Sequence, residues 1–263
     1  NIRNIAGASA NTANYDHGIW ALESYFGRLL YDYDSKYLFS AAIRRDGSSR
    51  FGVNNRWGNF PSLSGGWIFS KEDFLSSQDV LTFGKLSASW GKTGNNQIGN
   101  YGSHALVTES NYVYGSSLAP GYITTSSPNP DLGWEIASSA NYGIELGFFN
   151  KLNLSAAFYK TNTKDLLLEV PVPQQTGYTT VLANIGEMEN KGFEFDLNLY
   201  NLKIGEVKIG VNANMTTYEN KVLALGPGQD QIATGRDQLF ITKVGGSIAE
   251  IYGYDIDGIY KTQ

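Results

Sequence analysis

KYLFSAAIRRDGSSRFGVNNRWGNFPSLSGGWIF, residues 36–69, decides the fold. Tyr37, Phe39, Ala41 and Ile43 alternate with Leu38, Ser40, Ala42 and Arg44. A polar run rich in Arg, Asp, Gly, Ser and Asn follows, and alternation resumes through Leu63, Gly65, Trp67 and Phe69. Period-two patterning is the signature of a strand with two unlike faces. The stretch therefore reads as strand, loop, strand.

The pattern recurs along the chain. A first strand is expected over about Ile19–Tyr31, a second over Tyr37–Arg44, and a third over about Phe60–Phe69 across a loop from Arg45 to Asn59. Ser70 is placed to cap a short helix holding Glu72 and Asp73 in its first turn. A fourth strand, Thr82–Trp90, precedes a long Gly/Asn/Ser/Tyr/Pro loop from Lys92 to Leu132. The fifth strand is about Trp134–Phe148. The sixth starts at Leu152, and an excursion from Thr161 to Glu189 follows, where the Pro residues of LLLEVPVP argue against a central strand. In the seventh, Phe193, Phe195, Leu197 and Leu199 alternate with Glu194, Asp196 and Asn198. Asn201–Glu206 turns the chain into the eighth, where Val207, Ile209, Val211, Ala213 and Met215 oppose Lys208, Asn212 and Asn214. A last short strand is expected at Ile251–Asp255.

Connections alternate short and long, and the polar faces carry Glu, Asp, Lys and Asn. Both features fit an antiparallel transmembrane β-barrel with an apolar lipid face, a polar lumen, short periplasmic turns and long outer loops. A soluble β-sandwich with carbohydrate-binding ability shares the alternation and stays open on these grounds. The fold class is all-β on either reading.

Composition narrows the function. A net charge of −5 gives no basic footprint for nucleic acid. The absence of Cys excludes disulfide frameworks, Cys-based zinc sites and thiol nucleophiles. No run of about 20 apolar residues is present for a membrane helix, a test that β-strand spans evade. His17 and His104 are the only two histidines and lie in separate loops, without the spacing of a catalytic zinc site. There is no Gly-x-Ser-x-Gly elbow. Asp255 and Asp257 in DIDG read as a turn rather than a calcium loop. Asn153 and Asn214 match the glycosylation pattern by chance inside strands. The Arg cluster of Arg44, Arg45, Arg50 and Arg56 could hold an anion, but the loop runs to a strand rather than a helix N-terminus; it reads as a loop held by pairs such as Arg45–Asp46. No enzyme, cofactor or metal is expected. Glu194 and Asp196 read as wetted wall residues rather than an acid/base pair, and Glu145, Asn198, Asn212 and Asn214 share their polar faces.

Several stretches, in order, carry a resemblance: residues 25–75 (YFGRLLYDYDSKYLFSAAIRRDGSSRFGVNNRWGNFPSLSGGWIFSKEDFL), 81–101, 129–168, NIGEMENKGFEFDLNL at 184–199, and YGYDIDGIYK at 252–261. Together they resemble the barrel of SusC/RagA-type TonB-dependent outer-membrane transporters. The resemblance implies a middle portion, eight to ten strands, of a 22-stranded barrel in the outer membrane of a Gram-negative bacterium. Signal peptide, plug and closing strands are expected outside residues 1–263. It further implies import of glycans or peptides, a SusD-like surface lipoprotein as lid, and energy from TonB. Tyr37, Phe39, Ala41 and Ile43 would then face lipid, Ser40, Ala42 and Arg44 the lumen, and the Asp46–Phe51 loop the exterior. Glu145, Glu194, Asp196, Asn198, Asn212 and Asn214 would line the lumen. Tyr101, Tyr112, Tyr114 and Tyr122 in the long loop are the candidates for contact with substrate or lid, since rings stack on sugars and tyrosine also suits protein interfaces. A barrel segment alone would be an open sheet with two unpaired edges, prone to aggregate in water. A soluble binding module and a barrel-borne enzyme or adhesin are the other readings.

Overall fold

The structure, a computed structural model, describes residues 17–178, 180–234, 239–253 and 258. Its body is one antiparallel sheet of eight strands: β1 (Leu22–Tyr33), β2 (Tyr37–Ser48), β3 (Trp57–Trp67), β4 (Leu81–Asn95), β7 (Glu135–Phe148), β8 (Leu152–Pro171), β9 (Thr180–Ile204) and β10 (Val207–Ala224). Each pairs with the next in this order. β5 (Val107–Tyr114) and β6 (Ser117–Thr124) form a separate hairpin, and β11 (Gln231–Thr234), β12 (Phe240–Lys243) and β13 (Glu250–Ile251) a small third sheet. Such a meander needs only hairpin connections, which the period-two segments and turn residues supply.

The register explains why alternation was so regular. Residues directly opposite in an antiparallel pair share a face. One rung runs Tyr33, Tyr37, Trp67, Leu86, Ile144, Ala156, Phe195, Met215, one residue per strand and every one apolar or aromatic. An adjacent rung on the other face runs Lys85, Glu145, Ser155, Asp196, Asn214. The apolar face is bare: Phe193, Phe195 and Met215 are 51%, 43% and 55% exposed. No second sheet packs over it among the described residues, which removes the sandwich alternative. An apolar surface of this extent requires a non-aqueous neighbour.

The short connections follow local turn chemistry. Asp34 and Ser35 (φ 54° and 47°) and Phe149 and Asn150 (φ 53° and 55°) take the left-handed pairs of twist-matched hairpin turns. Lys36 N–H and Lys151 N–H close them onto the Tyr33 and Phe148 carbonyls at 3.0 and 2.9 Å.

Five expectations need correction. β3 ends at Trp67, and Phe69 opens a 3-10 turn (Phe69–Lys71) followed by a second (Asp73–Leu75); Ser70 caps neither. The reason is packing: the Phe69 ring fills the space a Gly84 side chain would take, 2.4 Å from the position of its missing Cβ. The Lys92–Leu132 stretch is not a plain loop, since β4 continues to Asn95 and β5–β6 lie within it. The Thr161–Glu189 excursion is the outer half of the β8–β9 hairpin, paired through Pro171↔Thr180. Pro is tolerated because β7 stops at Glu135, leaving this part of β8 an edge on that side. Asp46 and Ser48, expected in the loop, complete β2 and are buried. The last strand is only Glu250–Ile251; Tyr252 and Gly253 do not continue it, and residues 254–257, with Asp255 and Asp257, lie outside the described residues.

Candidate functional site

The polar face of β7–β10 is built as rungs. Glu145, Ser155, Asp196 and Asn214 align across four strands; Asn153, Asn198 and Asn212 form the next rung toward the short turns; Ala157, Glu194 and Thr216 the next toward the long loops. Every expected wall residue, Glu145, Glu194, Asp196, Asn198, Asn212 and Asn214, thus sits on one continuous surface. Asn212 Nδ2 donates to Asn198 Oδ1. Ser155 Oγ donates to Asp196 Oδ2 at 3.4 Å, and Lys85 Nζ meets Glu145 Oε1 at 2.7 Å. Amides in register bond one another yet keep donors and acceptors to spare. Toward β2–β4 the same face becomes small: Ser40, Ser64, Ser87, Ser89 and Gly143.

The four tyrosines do not share one platform. Tyr112 and Tyr114 stand on one face of the β5–β6 hairpin, while Tyr122, opposite Glu109, is on the other. They are 53%, 75% and 70% exposed. Tyr101 lies apart, its hydroxyl accepting from Ile19 N–H at 3.3 Å and its ring edge-on to His104. The hairpin touches the β8–β9 tip where Tyr178 O–H meets Thr124 Oγ1 at 3.2 Å.

Sequence reasoning missed a buried cluster at the long-loop end. Phe51 and Leu132 are fully buried, Phe60 and Trp134 nearly so. Trp134 packs against Phe51 and Phe60 at 4.9 and 5.2 Å between ring centroids. β3 and β4 pair only over Ser62–Trp67 and Leu86–Gly91, and beyond that point the Phe60 and Trp134 rings lie over Gly94. Hydrogen bonds stitch the pieces: backbone Gly52 N–H to Leu132 O at 2.9 Å, and the indole Trp134 Nε1–H to Arg56 O at 3.0 Å. Gly52 leaves no alternative, because a Cβ there would lie 2.0 Å from Pro130 O. Asn184 clamps Gly133 from both sides, accepting from its N–H at 2.8 Å and donating to its O at 2.9 Å.

The arginines serve this architecture. Arg44, not Arg45, pairs with Asp46, at 2.7 Å. Arg45 instead stacks over Trp57, and Arg50 lies over Trp20 while donating to Asn100 Oδ1 and Asn96 O. Planar guanidinium suits stacking and multidentate donation together. The RRDGSSRFG stretch is therefore a strut joining β1, the β2–β3 loop and the segment after β4.

At the short-turn end, Glu72 receives Trp67 Nε1–H at 3.0 Å and Tyr37 O–H at 2.7 Å, with Lys36 Nζ at 3.6 Å. Donation by Trp67, then Tyr37, holds its carboxyl below the usual 4.5. Tyr31, Tyr33, Tyr37 and Trp67 make this rim an aromatic girdle of the kind found at membrane interfaces.

Comparison with known proteins agrees with this geometry. A family model described as TonB dependent receptor-like, beta-barrel, matches residues 1–258. TonB-dependent receptor P39 of Formosa agariphila is 39% identical over 259 residues, covering 98% of this chain and 24% of the relative. TonB-dependent receptor SusC of Bacteroides thetaiotaomicron is 37% identical over 215 residues, covering 80% and 21%. The structure of the RagAB peptide transporter superimposes with a TM-score of 0.78 at 32% identity, covering 87% and 25%. The siderophore receptor PirA of Pseudomonas aeruginosa, at 14% identity and a TM-score of 0.51, shares the fold alone. The chain spans about a quarter of the length of P39, SusC and the RagAB chain it matches. An antiparallel meander with one bare apolar face, one polar face, short turns at one end and long loops at the other belongs to the outer-membrane β-barrel of the TonB-dependent receptor family, in its SusC/RagA-like branch, a family of transporters and receptors rather than enzymes.

Proposed function

We propose that this chain is a sector of the barrel wall of a longer, plug-bearing importer of oligosaccharides. The polar face is its lumen wall, and the long-loop end its exterior. The observation that carries the substrate class is the run of amide and carboxylate rungs: Asp196, Asn198, Asn212 and Asn214 present neutral donors and acceptors beside one anion. Such a surface exchanges hydrogen bonds with hydroxyl-rich chains without trapping them. Tyr112 and Tyr114, adjacent on one hairpin face, suit stacking against sugar rings. A SusD-like surface lipoprotein would cover the outer loops as a lid, and TonB would supply energy through the plug. RagAB is named a peptide transporter, so peptide is the competing cargo.

The test uses the full-length receptor with its neighbouring lipoprotein in outer-membrane vesicles. Fluorescent oligosaccharide and peptide pools are offered in parallel. Oligosaccharide retention reduced severalfold by combined Asp196→Ala and Asn214→Ala supports the reading. Retention of peptides alone overturns the substrate class.

A further inference from the structure

The outward face changes character immediately beyond its apolar band. Lys160 follows Phe158 by two positions on β8, and Lys191 precedes Phe193 by two on β9. The two lysines lie directly opposite each other in the register. On β10, Lys221 lies opposite Glu189. Lys160 Nζ meets Glu189 Oε2 at 2.9 Å, Lys191 Nζ meets Glu219 Oε1 at 3.1 Å, and farther out Lys164 Nζ meets Glu187 Oε1 at 3.2 Å. Four ammonium groups thus meet three carboxylates on this face.

Like charges directly opposite on neighbouring strands are unfavourable, and a solvated surface has no need of them. Their depth supplies a reason. Two residues of strand are about 7 Å, or about 5 Å along the membrane normal for a strand tilted by about 40°. Lys160 and Lys191 therefore stand at the level of lipid headgroups, on the face that touches lipid and not on the face toward the lumen. Glu189, whose side chain is 16% exposed, is enclosed by Lys160, Lys191 and Lys221, while the Lys160 side chain remains 48% exposed.

We propose that Lys160, Lys191 and Lys221 form a binding site on the outer wall of β8–β10 for the phosphate of an outer-leaflet lipid headgroup. The proposal rests on the barrel reading, which makes this face the lipid face. Glu189, beside Lys160 and Lys221, and Glu219, paired with Lys191, are the internal counter-charges that hold the three lysines at close quarters, and the lipid phosphate is the external one. The acyl chains of the same lipid lie along Phe158, Phe193 and Phe195, which continue the strip below the lysines.

The experiment uses the full-length receptor in detergent micelles. Retention of bis-phosphorylated lipid A and of its dephosphorylated form is read by native mass spectrometry, with inorganic phosphate as a separate competitor. Each surface lysine is expected to contribute about fivefold, so K160Q/K191Q/K221Q should lower retention of the phosphorylated lipid by at least tenfold. E189Q should raise it severalfold, an opposite change that misfolding would not produce. Preference for the phosphorylated lipid with both shifts supports the site. Equal retention of the two lipids, or indifference to both variants, overturns it. Displacement of the lipid by millimolar inorganic phosphate overturns the lipid assignment in favour of a free-anion site. Wild-type protein that lacks β-sheet circular dichroism and heat-modifiable mobility would instead contradict the barrel reading itself.

Discussion

Replacing Phe51 with Ala probes the hidden centre of the outer loops. The Phe51 side chain is fully buried against Trp134, whose ring centroid is 4.9 Å away, and beside Leu132. Removing a fully buried Phe costs about 3–5 kcal/mol, combining lost transfer energy with the cavity left behind. The aromatic pair contributes about 0.5–1.5 kcal/mol of packing specificity to that total. The strands below are held by their own ladders, so the loss falls on the loop cluster as local opening. The reporters are Gly52 N–H and Asn54 N–H, bonded to Leu132 O at 2.9 Å and Pro130 O at 3.3 Å. Hydrogen exchange of the full-length receptor should accelerate at these amides by roughly 150- to 5,000-fold, the conversion of about 3–5 kcal/mol. Amides of the β9–β10 ladder should be unchanged. Acceleration below tenfold at Gly52, or equal acceleration in β9–β10, would refute the view that Phe51 locks the loops independently of the wall.

Three further outcomes follow from the same geometry. Gly52→Ala should reproduce the local opening without deleting any packing, because the added Cβ meets Pro130 O at 2.0 Å; limited proteolysis within residues 49–56 reports it. Leu197→Lys on the apolar face should lower barrel stability by about 2–4 kcal/mol near the bilayer centre, whereas Asn198→Lys on the polar face should be near neutral, as measured by urea unfolding in lipid vesicles. The fold favours the ionised Glu72, whose pKa is lowered by Trp67 and Tyr37. Its stabilisation is therefore complete above pH 4.5 and is lost as pH falls through the lower folded value. The gap in unfolding midpoint between wild type and Glu72→Gln should be full at pH 7 and narrow progressively as the pH falls below 4.5.

The wall was legible in the sequence, and the loops were not. From Phe193 to Leu199 every residue declares its face, because a strand between two different media is patterned at each step. The same holds for Tyr37–Ile43. The β5–β6 hairpin does carry a local signal: Gly115–Ser116, with Gly115 at φ 63°, is a two-residue hairpin turn between Tyr114 and Ser117. Pro171 and Pro173 masked the length of β8, since their effect depends on whether a neighbour claims that edge. The Phe51–Leu132–Trp134 cluster had no local signature at all. Its members come from segments about eighty positions apart, with Phe51 in one and Leu132 and Trp134 flanking Gly133 in the other, and no local pattern tells that the two segments meet. Among the candidate contacts, the residues on β7–β10 share one face of the sheet because strand parity alone determines their side. Tyr112 and Tyr122 were separated because hairpin register, not loop membership, decides which way each ring faces.

The central claim is that the face bearing Phe193, Phe195, Leu197 and Leu199 meets lipid while Glu194, Asp196 and Asn198 meet water. The chain contributes no native cysteine, so single cysteines introduced at each position from 193 to 199 can carry a nitroxide label in the full-length receptor reconstituted in bilayers. The account predicts strict alternation: oxygen, which concentrates in hydrocarbon, relaxes the labels at Phe193, Phe195, Leu197 and Leu199, and a water-soluble nickel chelate relaxes those at Glu194, Asp196 and Asn198. Alternation of the opposite parity, or uniform access of the chelate to all seven sites, would contradict it.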